Sequence, residues 1–269
     1  LQEDAFRRDF SINALYFDPK SQEIIDYVDG LEDLANQRIR LIGEPAVRLA
    51  EDPVRILRAV RFATKLKFTL DAHIVELIED SAERLLAIPP ARLFDEFLKL
   101  FLTGFGETIW HQIRNTGIAR ALFPTCNPNS DLIIAAMRNT DERIKSGLSV
   151  TPGFLIAVLL WEDYVARASD AALGDDDPAF ATLRNQQYAI AIPRRFGTFA
   201  KETWMIQERL IKRNPRTIAR LLQHKRFRAG FDFLCLRAES EPTLGDCAAW
   251  WGTFQEQDEA GQNAMIEQL

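Results

Sequence analysis

From about Ala46 onward the apolar residues of this chain recur at three- and four-residue steps almost to its end. A pattern of that period commits most of the chain to packed amphipathic helices. Residues 48–66 read as one helix, with Val54, Leu57, Val60 and Ala63 on one stripe and the arginines offset onto another face. Pro53 falls in the first turn, where proline is tolerated. Residues 71–86 form the next helix, starting on an acidic cap and stopping before Ile88-Pro89-Pro90. Residues 91–103 follow, with Leu93, Phe94, Phe97, Leu100 and Phe101 as the apolar stripe. Further helices are expected near 106–116, 130–146, 152–168, 179–190, 195–213, 215–223, 227–239 and 244–257. Residues 124–130, rich in Pro and Asn, and the acidic stretch 174–178 read as loops. No repeat of fixed period is visible, which argues against a regular solenoid.

Ahead of Ala46 the signal is different. Residues 12–28 read as a hairpin, with a turn at 18–21 between two apolar runs, and Asp29-Gly30 ends it. A helical turn at 31–36 and a short strand at 39–43 complete a mixed segment too short to bury a core of its own. It reads as the edge of a larger α/β domain. The boundaries expected from these shifts are 1–45, 46–123 and 124–269.

Composition excludes several classes. The 269 residues are 47% hydrophobic and 27% charged, with a net charge of −6. No apolar run approaches the roughly 18 residues of a membrane span, and no charged-then-apolar signal segment opens the chain. The expectation is a soluble, cytoplasmic protein. Cys126, Cys235 and Cys247 are scattered without a CxxC pair, which argues against a disulfide framework and a zinc site. His73, His111 and His224 show no ligand spacing. Any metal must therefore be held by carboxylates, which suits magnesium.

The charged residues carry the functional signal. In residues 51–62, Asp52 and Arg55 are three apart and Glu51 and Arg55 four apart, so the expected helix puts them on one face. A carboxylate beside a guanidinium offers an acceptor and a donor in one plane, which suits a nucleobase edge. Arg58 and Arg61 repeat the three-residue step and can meet phosphate as planar forks. An isolated pair of this kind would be a solvated ion pair. Three arginines in register, preceded by Arg7-Arg8-Asp9, weigh against that reading. Further along, Arg209, Lys212, Arg213, Arg216, Arg220, Lys225, Arg226 and Arg228 fall in a stretch without an acid, the footprint of a phosphate-backbone surface. The competing reading is a helix pair neutralised by acids elsewhere in the fold.

RRDFSIN at 7–13, DYVDGLEDL at 26–34 and EDPVRILRAVRF at 51–62, in that order, resemble the class II nucleotidyltransferases, the bacterial poly(A) polymerases and CCA-adding tRNA nucleotidyltransferases. IPPARLFDE at 88–96, HKRFRAGFDFL at 224–234 and WWGTF at 250–254 are more similar to the poly(A) polymerase branch. The resemblance implies a mainly α chain, a small α/β remnant of a nucleotidyltransferase head (1–45) followed by an elongated helical neck (46–123) and an RNA-binding body (124–269). In the family a Gly-Ser turn and a DxD pair bind magnesium upstream of RRDF, and neither precedes Arg7 here. The chain, opening on Leu1, therefore reads as a piece of a longer enzyme, inactive alone.

By the same resemblance Asp9 is the catalytic carboxylate. Arg7 and Arg8 meet the triphosphate, and Asn13 the sugar. Asp26 and Asp33 couple head to neck. Asp52 and Arg55 read the base, and Arg58 and Arg61 lie near the triphosphate, Arg61 serving packing equally well through its stem. Lys212, Arg213, Arg216, Arg220, Lys225, Arg226 and Arg228 are the expected RNA contacts. The implied partners are ATP and an RNA 3′ end, with magnesium in the parent enzyme and no DNA. Phosphoryl transfer needs positioned cations more than a covalent nucleophile, and the chain offers no Ser-His-Asp or Cys-His set. The expected activity is template-independent addition of AMP to RNA. Its rivals are a CCA-adding enzyme, a non-catalytic helical RNA-binding module and, from the opposite direction, a protein scaffold.

Overall fold

The apolar runs before Ala46 and the helical period after it give strands and helices in the computed structural model, which describes residues 1–170 and 177–269. Residues 174–176 of the expected acidic loop lie outside the described residues. The chain divides into two compact units, 1–124 with 188–191 and 125–187 with 192–269.

The first unit opens with α1 (Gln2–Arg7) and a 3-10 turn at Ser11–Asn13. β1 (Leu15–Asp18) and β2 (Glu23–Asp26) pair antiparallel, Leu15 opposite Asp26. The Asp18 carboxylate accepts the Lys20 N–H at 2.9 Å and fixes the turn. α2 (Gly30–Ala35) follows, and β3 (Arg38–Ile39) pairs parallel with β4 (Thr69–Leu70). The helices are then α3 (Pro45–Glu51), α4 (Val54–Leu66), α5 (Ala72–Glu76), α6 (Ile78–Leu85), α7 (Pro90–Phe101), α8 (Gly106–Ile113) and α9 (Gly117–Leu122). α4 packs against α7 and α8. Buried Phe97, Phe101, Trp110 and Phe123 meet there, with Phe97 and Phe101 ring centres 5.6 Å apart. Each such ring contributes about 1.5–3 kcal/mol of burial energy.

The single helix expected over 48–66 is corrected to two. Asp52 lies between α3 and α4 with φ −147° and ψ 94°. The ring of Pro53 clashes with helical geometry at the residue before it, and that effect outweighs the tolerance of proline itself in a first turn. Asp52 therefore does not share a helix face with Arg55. Similarly, residues 71–86 divide at Leu77 into α5 and α6.

The second unit contains α10 (Asp131–Lys145), α11 (Pro152–Leu159), α12 (Trp161–Ala168), α13 (Pro178–Gln186), α14 (Arg194–Lys212), α15 (Ile218–Leu222), α16 (Phe227–Ser240), α17 (Gly245–Glu256) and α18 (Glu259–Glu267). α11 is apolar on every side and packs against α14, where buried Trp204 donates to the Ala157 carbonyl at 2.9 Å. Trp251 is fully buried and donates to the Leu210 carbonyl at 2.9 Å, while Trp250 stacks on Phe254 with centroids 4.7 Å apart. α18, which the periodicity did not suggest, starts on Asp258, whose carboxylate accepts the Gly261 N–H at 2.8 Å.

Gly30 sits where α2 presses on the 3-10 turn: a Cβ there would lie 2.3 Å from the Ser11 carbonyl oxygen. Because the obstacle is backbone, Gly30→Ala is expected to destabilise the first unit by roughly 1–3 kcal/mol. A guanidinium chloride midpoint indistinguishable from that of the parent chain would contradict this.

Candidate functional site

The chain leaves α1 extended at Arg8 and turns at Ser11, and this places Asp9 against the amino-terminal half of α4. Arg55 Nε donates to Asp9 Oδ1 at 3.1 Å. Arg58 Nε lies 2.6 Å from Oδ2 but off the line of a hydrogen bond, so that contact is an ion pair. Arg55 is mostly buried and also donates to Glu51 Oε2 at 3.2 Å and to the Arg48 carbonyl. A cleft of about 420 Å³ opens beside this cluster, lined by Arg7, Arg8, Asp9, Asn13 and Arg58. Five residues that the resemblance assigned to one site thus meet around one space.

Three others do not line it. Asp52 pairs with Arg92 Nη2 at 2.6 Å instead of with Arg55. Arg55 lies behind Asp9, where it holds the carboxylate in place. Arg61 sits over the Phe62 ring at 4.9 Å, and burial disfavours its charge, an effect partly offset by Glu96. Its Nε has no hydrogen-bond partner. Arg61 is engaged in packing in this state.

Two supports stand behind Asp9: Arg48, which the sequence does not single out, and Asp33, which the resemblance gives a structural coupling role. Arg48 Nη2 donates to the carbonyls of Arg8 at 2.9 Å and Arg7 at 3.3 Å, tying the backbone just before Asp9 to α3. Asp33 is fully buried and binds three donors: Ser11 Oγ at 2.5 Å, Arg38 Nε at 2.7 Å and Arg40 Nε at 2.7 Å. Burial alone would raise its pKa, but Ser11, Arg38 and Arg40 outweigh that and hold it below the usual carboxylate range. Asp33 thereby fastens the turn after Asp9 to β3. Asp26 accepts the N–H groups of Val28 at 3.0 Å and Leu31 at 2.8 Å and so shapes the loop leading into α2.

Among the described residues no three His, Cys, Asp or Glu side chains are grouped to hold a metal. Asp9 is the one acid lining the cleft, and both its oxygens are engaged by guanidiniums. These residues by themselves do not fit a magnesium ion. Burial pushes the Cys126 thiol up to about 12 and also raises Cys235 and Cys247, so no thiol is poised as a nucleophile.

In the second unit the basic stretch proves to be partly neutralised. Lys225 and Arg226 share Glu202 at 2.6 and 2.8 Å, Lys212 pairs with Glu208 at 2.5 Å, and Arg228 pairs with Asp232 at 3.0 Å. Arg213 lies over the Trp250 ring at 5.6 Å. Among the described residues no ion pair holds Arg216 or Arg220, and both are exposed. Acids elsewhere in the fold thus answer part of the stretch and leave part of it open.

Residues 1–40 match the poly A polymerase head domain, 67–129 the probable RNA- and SrmB-binding site of polymerase A, and 177–269 the polymerase A arginine-rich C-terminus. Poly(A) polymerase I of Salmonella typhi is 39% identical over 291 residues, which covers 100% of this chain and 62% of that protein. The Haemophilus influenzae protein of the same name is 36% identical, covering 100% and 63%. A CCA-adding enzyme of Lactobacillus helveticus is 46% identical over 100 residues, 37% of this chain and 25% of that protein. The chain spans about three fifths of the length of the poly(A) polymerases it matches. Among solved structures, an apo tRNA-processing enzyme shares the fold with a TM-score of 0.69 at 23% identity, covering 99% of this chain and 75% of that one. A CCA-adding enzyme complexed with ATP shares it with a TM-score of 0.60 at 21% identity, covering 78% and 49%. With three successive poly(A) polymerase segments and relatives aligned along its whole length, the chain belongs to the family of bacterial poly(A) polymerases and CCA-adding tRNA nucleotidyltransferases.

Proposed function

We propose that this chain is the nucleotide-holding and RNA-holding part of an enzyme that adds AMP from ATP to RNA 3′ ends without a template. The observation that carries the reading is the cleft in which Arg7, Arg8 and Arg58 converge around Asp9 and Asn13. Three guanidinium side chains and one carboxylate make a cation-rich space suited to a triphosphate, and phosphoryl transfer depends on such positioning. Arg58 and the two amino-terminal arginines bind and orient the phosphates, and Asn13 offers an amide to the sugar. Asp9 orders Arg58 and, on the family pattern, faces the reacting groups. Arg55 fixes Asp9 from behind. Base reading by Asp52 and Arg55, which the family pattern assigns, requires them to leave the partners that hold them here, Arg92 and Asp9.

The proposed division is head (1–45), neck (46–123) and body (124–269). The segment that matches a probable RNA-binding site, 67–129, falls largely in the neck, and in this proposal RNA runs on from there along the arginine-rich body. Lys212, Arg213, Arg216, Arg220, Lys225, Arg226 and Arg228 are its proposed contacts. Magnesium, which the family implies, belongs in this reading to the intact enzyme rather than to the cleft residues alone. The proposed setting is the cytoplasm, where ATP and RNA meet. No helix among the described residues is long and apolar enough to cross a membrane.

Isothermal titration of the 269-residue chain with ATP tests the cleft. Saturable binding is expected, weakened about ten-fold or more in Arg58→Ala, the loss of one charge-assisted contact. Equal affinity of the two proteins would place the nucleotide elsewhere.

A further inference from the structure

Lys225, Arg226 and Arg228 do more than extend a basic stretch. They stand at one side of a pocket of about 280 Å³ within the second unit, together with Arg143. Phe154 and Phe199 form its apolar walls, and Asn139 and Thr140 add an amide and a hydroxyl. Four cations and one acid, Asp232, line the space, so its lining carries a net +3 (4 − 1) inside a chain whose total is −6. Counting Glu202, which pairs with Lys225 and Arg226 from outside the lining, the excess is +2 (4 − 2).

The walls are pre-set. Phe199 packs so closely on Gly153 that a Cβ there would meet its ring at 2.9 Å, and Phe154 is held edge-on by buried Phe233 with centroids 6.1 Å apart. Arg226 lies over the Phe199 ring, 4.4 Å from its centroid, and Nε donates to Glu202 at 2.8 Å, so the guanidinium plane is fixed as well. Arg143 is turned by a hydrogen bond to the Ser149 carbonyl at 3.2 Å. Rigid aromatic and guanidinium planes beside a net positive charge are what a flat, anionic ligand needs. An amide that both donates and accepts can address a base edge. The volume lies at the lower end of the range for small-molecule sites, which fits one nucleotide and not a stacked pair.

We propose that this pocket takes a single unstacked nucleotide of an RNA strand, its base against Phe199 and Phe154 and its phosphate against Arg228, Lys225 and Arg143. The inference rests on the reading that the second unit holds RNA. It separates Lys225, Arg226 and Arg228, which line the pocket, from Arg213, Arg216 and Arg220, which do not.

The test is fluorescence anisotropy of a labelled oligoadenylate with the 269-residue chain, carried out in an Arg58→Ala background so that the first-unit cleft does not contribute. Phe199→Ala and Arg228→Ala are each expected to weaken binding about ten-fold. Unlabelled AMP is expected to compete, and inorganic phosphate at the same concentration to leave the complex intact. Should circular dichroism show that Phe199→Ala is unfolded, Arg228→Ala combined with Asn139→Ala decides. Unchanged affinity in the folded pocket variants overturns the pocket while leaving RNA binding by the second unit standing. Phosphate competing as well as AMP also overturns it, reducing the site to an anion contact. Absence of oligoadenylate binding by the Arg58→Ala chain at low salt would overturn both the pocket and the RNA reading of this unit.

Discussion

Asp33→Ala is expected to lower the melting temperature of the first unit by roughly 10 °C. Asp33 is fully shielded, and its removal leaves Arg38, Arg40 and the Ser11 hydroxyl without their common acceptor. Breaking a buried pair costs about 3–5 kcal/mol. The lower end applies, because Arg38 and Arg40 keep 37% and 28% of their side-chain surface exposed and remain partly hydrated. About 3 kcal/mol at roughly 3 °C per kcal/mol gives the stated shift. The effect carries a pH signature. A carboxylate whose folded pKa is depressed contributes stability above its unfolded pKa, about 3.9, and loses it as pH falls through the folded value. The gap between the parent chain and Asp33→Asn should therefore be full at neutral pH and close below about pH 4. A gap that is constant with pH would mean the carboxylate's charge is not what holds the turn.

Asp9→Ala is expected to reduce AMP addition by the intact gene product about 100-fold or more, with ATP affinity falling less. Without Asp9, Arg58 loses the anion that sets its position, and the mostly buried Arg55 is left with Glu51 and the Arg48 carbonyl alone. Misplacing a reacting group by about 1 Å is sufficient for a loss of that order. Asp9→Asn keeps the shape and removes the charge. Its extension rate should fall nearly as far, while its melting temperature stays closer to that of the parent. An Asp9→Asn rate within two-fold of the parent, by primer extension, would remove Asp9 from the reaction and leave it a purely structural clamp.

Much of this was legible in the sequence because it is local. The hairpin announces itself through two apolar runs and the Asp18 turn, and β1 and β2 form there. The helices from α4 onward follow a period that neighbouring residues define among themselves. Asp52 shows where local rules compete: proline permits the first turn of α4 yet forbids helical geometry to the residue before it. A pairing inferred from three-residue spacing failed at that single backbone angle. Arg48, Arg92 and Glu202 were missed for a different reason. Their partners lie 40, 40 and 24 residues away in the chain (Arg8, Asp52 and Arg226), a separation that periodicity does not encode. The same holds for the second-unit pocket, which brings α10, α14 and α16 together and divides a basic stretch that looked uniform.

Primer extension by the intact gene product tests the central claim most directly, offering ATP or CTP with magnesium to an unstructured RNA and to a tRNA lacking its CCA end. The account predicts unrestricted addition of A to both RNAs from ATP, with CTP used poorly. Ordered addition of two C residues and one A, confined to the tRNA, would contradict it and assign the chain to the CCA-adding branch of its family.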